Sequence, residues 1–457
     1  MYDIAIIGGG PGGYAAALYA HNFGLSVALI EKERVGGTCL IRGCIPAKTW
    51  IQSAEVYSTV ARAEEFGVIA SEPEFAWPKA LERKQKVVDG LVKGLSGLLK
   101  QRGVDVIDGF GRIAGSGTIV VTADDGAETE IAAKNVIIAT GSGAATIPGY
   151  EINGTSIVTS DHALDWTEQP GRVAIIGAGV IGCEFASFLA ELGTEVHLFE
   201  LEDQLVPGME PEAAKVLARE FRKRKINTNL GIGCGPPKTA ESGVTVPYGD
   251  KSVEVDVVLV SVGRTPMTDD VGLDSIGLAT DRGYIEVDRA TMQTAAEKVY
   301  AVGDIVSGTP QLAHVAFAEA IAAVTHIATG EVAPVDYNAI PMVVYTHPEI
   351  AWVGKNAADA ADAGYDVTAT EHGMRGVGRA IIQGEVSGLV KVVSETDGPM
   401  LGATVVGPGA GEMIHELMYA VGWEALPSEA ASFIHAHPTV SEAIGETLMA
   451  SAGRGLH

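Results

Sequence analysis

The sequence predicts an α/β fold with two Rossmann-like dinucleotide-binding domains, followed by an α+β domain at the C-terminal end. The first observation is the length of 457 residues, which exceeds one ordinary core and suggests about three domains. The second is an internal repeat, in which residues 4–31 align without gaps with residues 173–200. The third is a change near residue 335, where short alternating strands and amphipathic helices begin.

Each copy of the repeat has an apolar strand, a GxGxxG turn, a helix rich in small residues and a second strand that ends in glutamate. The first glycine permits a tight turn, the second lets a pyrophosphate approach the backbone, and the third lets the helix pack on the sheet. The glutamate can accept hydrogen bonds from a ribose. These residues are Gly8, Gly10, Gly13 and Glu31 in the first copy, and Gly177, Gly179, Gly182 and Glu200 in the second.

The two units predict two bound dinucleotides. The alternative is that each turn belongs to an ordinary βαβ unit without a ligand, but the presence of every element of the motif in both copies argues against it. The helix after each turn presents free N–H groups and a partial positive charge to the phosphates. After Glu200 the chain reads LEDQ, which is acidic and contains no arginine. Because an acidic pocket repels a 2′-phosphate, we expect the second unit to bind NAD rather than NADP.

Two further apolar segments predict where the chain crosses between the two nucleotide-binding domains. Residues 134–142 form a strand-like run that ends in Thr140 and Gly141, and residues 256–266 form a similar run around Gly263. Short apolar runs bounded by glycine are typical of buried strands. Both are therefore interpreted as strand ends at the boundary between the domains.

Residues 298–306 predict another buried strand, which ends in Gly303 and Asp304. A carboxylate at the carboxyl end of such a strand can hold a sugar or ribityl hydroxyl, and an acidic turn or helix cap is the alternative. Beyond residue 335, GLVKVVSE and GATVVGP predict antiparallel strands, while AGEMIHELMYAVGW and TVSEAIGETLMASA predict amphipathic helices. These segments indicate a third domain of the α+β class.

Two of the four cysteines, Cys39 and Cys44, lie five positions apart directly after the first unit. Outside a disulfide-rich secreted chain, such a pair is more typical of catalysis than of structure. On a regular helix their Cα atoms would be roughly 8–9 Å apart, further than a disulfide allows. If they are bonded, the segment cannot be one continuous helix, and Gly43 can supply the distortion. Two unrelated buried thiols are the alternative.

Thiol chemistry needs a base, and the best candidate is His437 in the distant stretch HAHPTVSE. Glu442 follows five residues later, at the start of a predicted helix, and can fix the tautomer of the imidazole and raise its basicity. A histidine in a loop is more often merely exposed or packed, and His435 is interpreted as structural.

The net charge of −26 arises from 58 acidic and 32 basic residues. It argues against nucleic acid or an anionic membrane as a partner, because both require a basic face. Solubility is the ordinary explanation of the acidity, and a basic docking partner is the alternative. The chain shows no apolar run of membrane-spanning length, no secretory signal and no metal-ligand cluster, so a cytoplasmic protein without a metal is expected.

The motifs GGTCLxxGCIPxK, GAGVIGCE, AVGD, LAH and HAHPT together resemble the pyridine nucleotide–disulfide oxidoreductase family over nearly the whole chain. The family fold has an FAD domain, an inserted NAD domain, a central segment that returns to the FAD, and an interface domain that makes a homodimer. The resemblance implies an FAD-binding domain at 1–142 and 265–334, an NAD-binding domain at 143–264, and an interface domain at 335–457.

The resemblance also implies which residues hold the cofactors. Those for FAD are Gly8, Gly10, Gly13, Glu31, Thr38, Lys48, Gly111, Thr140, Gly141, Asp304, Ala313 and His314. Those for NAD are Gly177, Gly179, Gly182, Glu200 and Gly263. Both sets include the glycine turns and terminal glutamates of the repeat.

For catalysis, the resemblance implies that Cys39 is the interchange thiol that attacks substrate and that Cys44 is the charge-transfer thiol beside the flavin. Lys48 would lie by the flavin and pair with Glu184. A charge buried beside a flavin ring needs such a partner. The resemblance also implies that the other subunit of the homodimer contributes His437 and Glu442 to the site.

The implied activity is oxidation of protein-bound dihydrolipoamide to lipoamide with NAD⁺, through a redox disulfide of Cys39 and Cys44. The implied partner is a lipoylated carrier protein, either the E2 of a 2-oxo acid dehydrogenase complex or the glycine cleavage H-protein. The chain reads Ile41-Arg42 where the family usually has Asn-Val, which bears on substrate identity rather than on fold. Another FAD-dependent NADH:disulfide reductase of the family, or a non-catalytic docking subunit, is the alternative.

Overall fold

The structure, a computed structural model, describes residues 1–241 and 243–456. Position 242 in the predicted NAD-binding domain and position 457 at the end of the predicted interface domain lie outside the described residues. The helices are α1 (Pro11–Ala20), α2 (Gly37–Arg42), α3 (Cys44–Ala61), α4 (Trp77–Gln101), α5 (Ser160–Ala163), α6 (Val180–Glu191), α7 (Pro211–Lys223), α8 (Ala313–Thr329), α9 (Ala357–Asp362), α10 (Gly378–Gln383), α11 (Ala410–Gly422), α12 (Pro427–Ala430) and α13 (Glu442–Ser451).

In addition to five short 3₁₀ helices, the described residues also form 22 strands. They are β1 (Tyr2–Ile7), β2 (Val27–Glu31), β3 (Asp105–Asp108), β4 (Phe110–Gly115), β5 (Thr118–Thr122), β6 (Glu128–Ile138), β7 (Ser142–Ala144), β8 (Ile157–Thr159), β9 (Arg172–Ile176), β10 (Glu195–Phe199), β11 (Asn227–Asn229), β12 (Lys238–Ala240), β13 (Gly243–Tyr248), β14 (Lys251–Val255), β15 (Val257–Val260), β16 (Arg264–Pro266), β17 (Val299–Ala301), β18 (Met342–Val344), β19 (Ile350–Gly354), β20 (Val367–Gly373), β21 (Leu389–Glu395) and β22 (Met400–Val406).

The first copy of the repeat builds a parallel sheet in the order β3-β2-β1-β6-β17. Ile4 pairs with Val27 on one side and with Asn135 on the other. Strands β1, β2 and β17 are almost wholly buried, as expected for parallel strands covered on both faces, whereas the edge strand β3 is largely exposed. The first half of β6 leaves this sheet and pairs antiparallel with β5, which pairs with β4.

The second copy builds the parallel sheet β11-β10-β9-β15-β8, with the antiparallel sheet β12-β13-β14 beside it. Its helix α6 is buried along most of its length because small residues let it lie close to the sheet. The repeat thus predicted both strand–turn–helix–strand units, which the structure confirms. Strands β7 and β16 pair antiparallel, Arg264 opposite Ala144, where the chain crosses between the units.

The C-terminal part has the antiparallel sheet β18-β19-β22-β21-β20. The apolar faces of α11 and α13 cover it, with Ile414 and Leu417 from α11 and Ile444 and Leu448 from α13 in its core. The predicted α+β domain is therefore confirmed, and with it the predicted fold class. Along the chain that the structure describes, no helix combines the length and the apolar character that crossing a bilayer requires.

Candidate active site

One cavity of about 1600 Å³ connects the two glycine turns. It opens at the carboxyl ends of the parallel strands, where open α/β sheets bind their ligands. The first turn lines one end with Gly8 and Gly10, and the second lines the other with Gly177 and Gly179. The cysteine segment and part of the C-terminal sheet form the wall between them. A single cavity can therefore hold two dinucleotides whose ends meet near the thiols.

The geometry of the first turn explains why glycine occupies its three motif positions. Gly8 has φ +104°, and a Cβ on it would lie 2.3 Å from the Ala139 carbonyl oxygen. A Cβ on Gly13 would lie 1.8 Å from the Gly8 carbonyl oxygen, so the helix could not pack on the turn. A Cβ on Gly10 would meet only the Gly37 Cα, at 3.7 Å, so the backbone there stays open to a ligand.

The second turn repeats this arrangement. Gly177 has φ +99°, and a Cβ there would lie 2.5 Å from the Ser261 carbonyl oxygen. A Cβ on Gly182 would lie 1.9 Å from the Gly177 carbonyl oxygen, while Gly179 has open space around its Cβ position. The roles predicted for the three glycines are thus the same in both copies, with two glycines forced by packing and one left facing the cavity.

The terminal glutamates are fixed against their own turns. Glu31 Oε2 accepts a hydrogen bond of 2.7 Å from the Gly9 N–H, and Glu200 Oε2 accepts one of 2.7 Å from the Ala178 N–H. Burial raises the pKa of Glu31, against the backbone hydrogen bonds that favour its charged form. Both carboxylates line the cavity, and their contact with a ribose stays a prediction.

One observation that is independent of the glycine motifs also indicates that the cavity binds a ligand. The Thr140 hydroxyl is buried and has no hydrogen-bond partner among the described residues, and Thr140 lines the cavity. A buried hydroxyl without a partner costs free energy, so a ligand group is expected to pair with it. Seven further predicted cofactor residues line the cavity, namely Thr38, Lys48, Gly141, Gly263, Asp304, Ala313 and His314.

Gly111 is a predicted cofactor residue that lies away from the cavity wall, as do Gly13 and Gly182 of the two turns. It lies in β4, where a Cβ would come 3.0 Å from Ile30 and 3.2 Å from Ile7, and it is not part of the cavity wall that the described residues form. Its glycine is explained by packing against the sheet. A role for Gly111 in holding FAD stays a prediction.

The cysteine segment is not one continuous helix, which is the arrangement expected from the sequence if the two cysteines can bond. Helix α2 ends at Arg42, Gly43 adopts φ −139° and ψ −113°, and α3 begins at Cys44. This break brings the two thiols together in the cavity wall. Both are free thiols in the structure.

The pKa values of the two thiols are shifted in opposite directions. A hydrogen bond donated by Cys39 lowers the pKa of Cys44 to about 7, and the charge of Lys48 acts in the same direction against burial. The same hydrogen bond, together with burial, raises the pKa of Cys39. The reduced pair therefore holds one proton on Cys39 and a thiolate on Cys44 above about neutral pH.

Lys48 lies one helical turn after Cys44, and its ammonium contacts the two carboxylate oxygens of Glu184 at 2.9 and 2.8 Å. Glu184 also accepts a hydrogen bond of 3.0 Å from the Tyr345 N–H. Burial lowers the pKa of Lys48, but the charge and hydrogen bond of Glu184 outweigh burial, and the pKa is raised. The predicted Lys48–Glu184 pair is present, and the lysine stays charged beside the thiols.

Asp304 is held by two residues that the sequence analysis did not identify. The Ser142 hydroxyl donates to its carboxylate, and Arg264 lies 3.8 Å from the same oxygen. Arg264 also donates to the Ser142 hydroxyl at 2.7 Å and to the Ser142 carbonyl at 2.6 Å. Ser142 and Arg264 belong to the strands that link the two units, so only the fold brings them to Asp304.

The turn before Asp304 is fixed by a buried acid. Glu319 accepts hydrogen bonds from the Gly303 N–H at 2.6 Å and from the Tyr337 hydroxyl at 2.9 Å. Burial raises the pKa of Glu319 to about 7. Its place inside the alanine-rich helix α8 gave no periodic signal that distinguishes it from an ordinary surface glutamate.

The predicted base and its acid are in contact. His437 Nδ1 lies 2.8 Å from Glu442 Oε1, and the Thr439 N–H donates to Glu442 Oε2 at 2.9 Å. Those two hydrogen bonds keep the pKa of Glu442 below its ordinary value. A carboxylate at Nδ1 fixes the proton there and leaves Nε2 free to accept one.

This dyad does not line the cavity of its own chain, and the His437 side chain is 79% exposed. It lies in the C-terminal domain, a few positions after the exposed apolar side chains of Phe433 and Ile434. One chain thus presents the thiols and the base on separate surfaces.

Two glycine turns that face one cavity, with a dithiol between them, define an oxidoreductase that uses two dinucleotides and a thiol pair. The chain matches the family model for pyridine nucleotide-disulphide oxidoreductases over residues 2–320, and the model for the dimerisation domain of that family over residues 340–448. It belongs to the pyridine nucleotide-disulphide oxidoreductase family. FAD and NAD are its cofactors, and its dimerisation domain makes it a homodimer.

Relatives of similar length support this assignment. A dihydrolipoyl dehydrogenase of Bacillus subtilis is 39% identical, over 100% of this chain and 99% of its own. One of Haloferax volcanii is 38% identical over 100% and 97%, and a leghemoglobin reductase of Glycine max is 38% identical over 98% and 87%. Among solved structures, LpdA of Mycobacterium tuberculosis has a TM-score of 0.91 at 29% identity, covering 98% of this chain and 99% of that one.

Proposed function

We propose that the protein is a dihydrolipoyl dehydrogenase, which oxidises protein-bound dihydrolipoamide to lipoamide and reduces NAD⁺. The observation that carries this proposal is the unequal thiol pair in the cavity between the two dinucleotide turns. Cys44 has a lowered pKa beside Lys48, and Cys39 keeps its proton. The full-length relatives with this printed name support the choice of substrate.

In this proposal residues 1–142 and 265–334 hold FAD, residues 143–264 hold NAD, and residues 335–457 join two copies. When bound, FAD takes up the electrons of the dithiol and NAD⁺ carries them away as hydride. The open backbone at Gly10 and the unpaired hydroxyl of Thr140 would contact FAD. The protein contributes position, charge and exclusion of water.

The chain's own residues perform the thiol exchange. In the oxidised protein Cys39 and Cys44 form a disulfide. His437 from the second copy takes a proton from one substrate thiol, and Glu442 stabilises the resulting imidazolium. The substrate thiolate attacks Cys39 Sγ, the disulfide bond breaks, and Cys44 leaves as a thiolate.

The second substrate thiol then completes the exchange. Its sulfur displaces Cys39 from the mixed disulfide, which releases lipoamide. Cys39 retains that thiol's proton, Cys44 stays a thiolate, and the first proton remains on His437, so two protons and two electrons are accounted for. Attack falls on Cys39 because the sulfur with the lower pKa, Cys44, is the better leaving group.

The partner in this proposal is a lipoylated carrier, either an E2 subunit or a glycine cleavage H-protein, in the cytoplasm. The net charge of −26 suits a carrier whose docking surface is basic. Comparing turnover with a lipoylated E2 domain and with a lipoylated H-protein distinguishes the two carriers.

The test of the proposal is turnover of dihydrolipoamide by the purified FAD-loaded protein, followed as NADH formation. We expect turnover with dihydrolipoamide and none with glutathione or thioredoxin. Activity confined to one of those other thiols would identify another reductase of the family. If NADH does not reduce the protein and no thiol is turned over, only a docking role is left.

A further inference from the structure

Three parts of the fold meet at one point of the cavity wall. Lys48 comes from α3, which carries Cys44, and Glu184 comes from α6, which follows the second glycine turn. Tyr345 comes from the C-terminal domain, directly after β18. A residue of the third domain thus reaches the ion pair that joins the dithiol helix to the helix of the second turn.

Tyr345 contacts both members of the ion pair. Its backbone N–H donates to Glu184 Oε1 at 3.0 Å, and its ring centroid lies 4.8 Å from the Lys48 ammonium nitrogen. At that distance the negative face of an aromatic ring attracts a cation. The Lys48 side chain is 32% exposed toward the cavity, so the ring and the carboxylate restrict an ammonium that water could otherwise draw away.

The segment that carries Tyr345 is itself fixed to α6. The His347 N–H donates to the Ser187 hydroxyl at 3.0 Å, one helical turn after Glu184. Arg224 donates to the same hydroxyl at 3.1 Å and also to the His347 carbonyl. Two anchor points one turn apart fix both the position and the direction of the Tyr345 segment relative to the helix.

We propose that Tyr345 is a positioning residue for the dithiol: its ring and its backbone N–H hold the Lys48–Glu184 pair in the arrangement that directs the ammonium toward Cys44. The inference rests on the proposed function in treating the Cys44 thiolate as a reacting group. It also gives the C-terminal domain a second role, because the domain then controls the thiols of its own chain as well as supplying His437 to the other.

The experiment measures the reactivity of Cys44 without using turnover. The reduced FAD-loaded protein is alkylated with iodoacetamide at a series of pH values and digested with trypsin. Cleavage at Arg34, Arg42 and Lys48 places Cys39 in VGGTCLIR and Cys44 in GCIPAK, so mass spectrometry reads each thiol separately. In Lys48→Met, where cleavage at position 48 is lost, Cys44 lies in the peptide of residues 43–62, still separate from Cys39. The midpoint of Cys44 alkylation against pH is the quantity compared.

We expect Tyr345→Leu to raise this midpoint, so that alkylation of Cys44 below neutral pH slows about threefold to tenfold. Tyr345→Phe keeps the ring and should retain the wild-type midpoint. Lys48→Met removes the charge altogether and should give the largest rise in the midpoint. Should Tyr345→Leu not fold, a series of increasingly fluorinated phenylalanines at position 345 keeps the shape and weakens the ring's negative face. The midpoint should then rise step by step with fluorination.

The outcomes separate the inference from the proposed function. A shift with Lys48→Met but none with Tyr345→Leu, or none across the fluorinated series, overturns the role of Tyr345 and leaves the thiolate assignment intact. A wild-type Cys44 that titrates like an ordinary cysteine, unchanged by Lys48→Met, overturns the thiolate assignment itself.

Discussion

The Lys48 ammonium lies 2.8 and 2.9 Å from the two carboxylate oxygens of Glu184, so one ion pair joins the thiol-bearing helix to the helix of the second glycine turn. The Glu184 side chain is only 5% exposed. Because a buried carboxylate without a partner is costly, neither unit can shift freely against the other at this point. The pair is therefore both a structural link and the source of the positive charge beside Cys44.

Breaking this pair should destabilise the protein. Lys48→Met leaves the Glu184 charge buried without its cation, and we expect the free energy of unfolding to fall by about 3 kcal/mol. Lys134 offers a matched control, because its 2.7 Å pair with Asp3 is at the surface, with Lys134 57% exposed. Lys134→Met should cost less than about 1 kcal/mol in the same urea titration. Equal losses for the two variants would contradict the structural role of Lys48.

The acidity of Cys44 gives a pH dependence with a definite sign. Its pKa is lowered to about 7, so the thiolate is present above that pH and is lost as the pH falls through it. We expect the reduced FAD-loaded protein to show long-wavelength thiolate-to-flavin absorption that disappears over the same range. Titration of that absorbance measures the midpoint. A midpoint near the ordinary cysteine value of about 8.5 would show that Cys39 and Lys48 do not act on Cys44.

The two thiols should fail in different ways when each is replaced. Cys44→Ser removes the thiolate next to FAD, so dihydrolipoamide turnover should fall by at least about 10³-fold while electron transfer from NADH to a dye persists. Cys39→Ser should lose turnover as well but keep the long-wavelength absorbance, because Cys44 remains. The dye assay serves as the internal control for folding and cofactor content. Retained absorbance in Cys44→Ser would exchange the two assignments.

The two terminal glutamates allow a paired test of cofactor choice. Replacing Glu200 by Ala together with Leu201→Arg removes the repulsion toward a 2′-phosphate and adds a cation. We expect the ratio of kcat/KM for NADPH to that for NADH to rise at least about tenfold. Glu31→Ala, the matched change in the other unit, should weaken FAD binding and leave that ratio unchanged. A ratio that responds to Glu31 instead would reverse the assignment of the two turns.

The repeat made most of the fold predictable from the sequence. A Cβ atom on Gly8, Gly13, Gly177 or Gly182 would lie 1.8–2.5 Å from a backbone oxygen. Because only glycine fits at these four positions, the fold could be predicted from their spacing. The sequence also identified Gly43 as the residue that could interrupt the helix if the two cysteines were bonded. The dyad of His437 and Glu442 was predictable because the two residues are only five positions apart.

The remaining site residues depend on contacts between distant segments. Arg264 and Ser142 reach Asp304 from strands 122 positions apart in sequence, and the Tyr345 N–H reaches Glu184 across 161 positions. No local sequence motif predicts these contacts, because a hydrogen bond from one backbone N–H or one hydroxyl does not require particular residue types at neighbouring positions. Gly111 shows the opposite case, a residue named by resemblance whose packing explains it without a ligand.

The measurement that tests the account most directly is complementation between two inactive variants, because its central claim is one site built from two copies of the chain. Cys44→Ser and His437→Gln are each expected to be inactive as homodimers. A mixed dimer, purified through different tags, has one site with an intact dithiol and an intact base from opposite chains. It should recover about half of the wild-type turnover per dimer, one working site of two. A mixed dimer as inactive as its parents would show that His437 does not serve the thiols of the other chain.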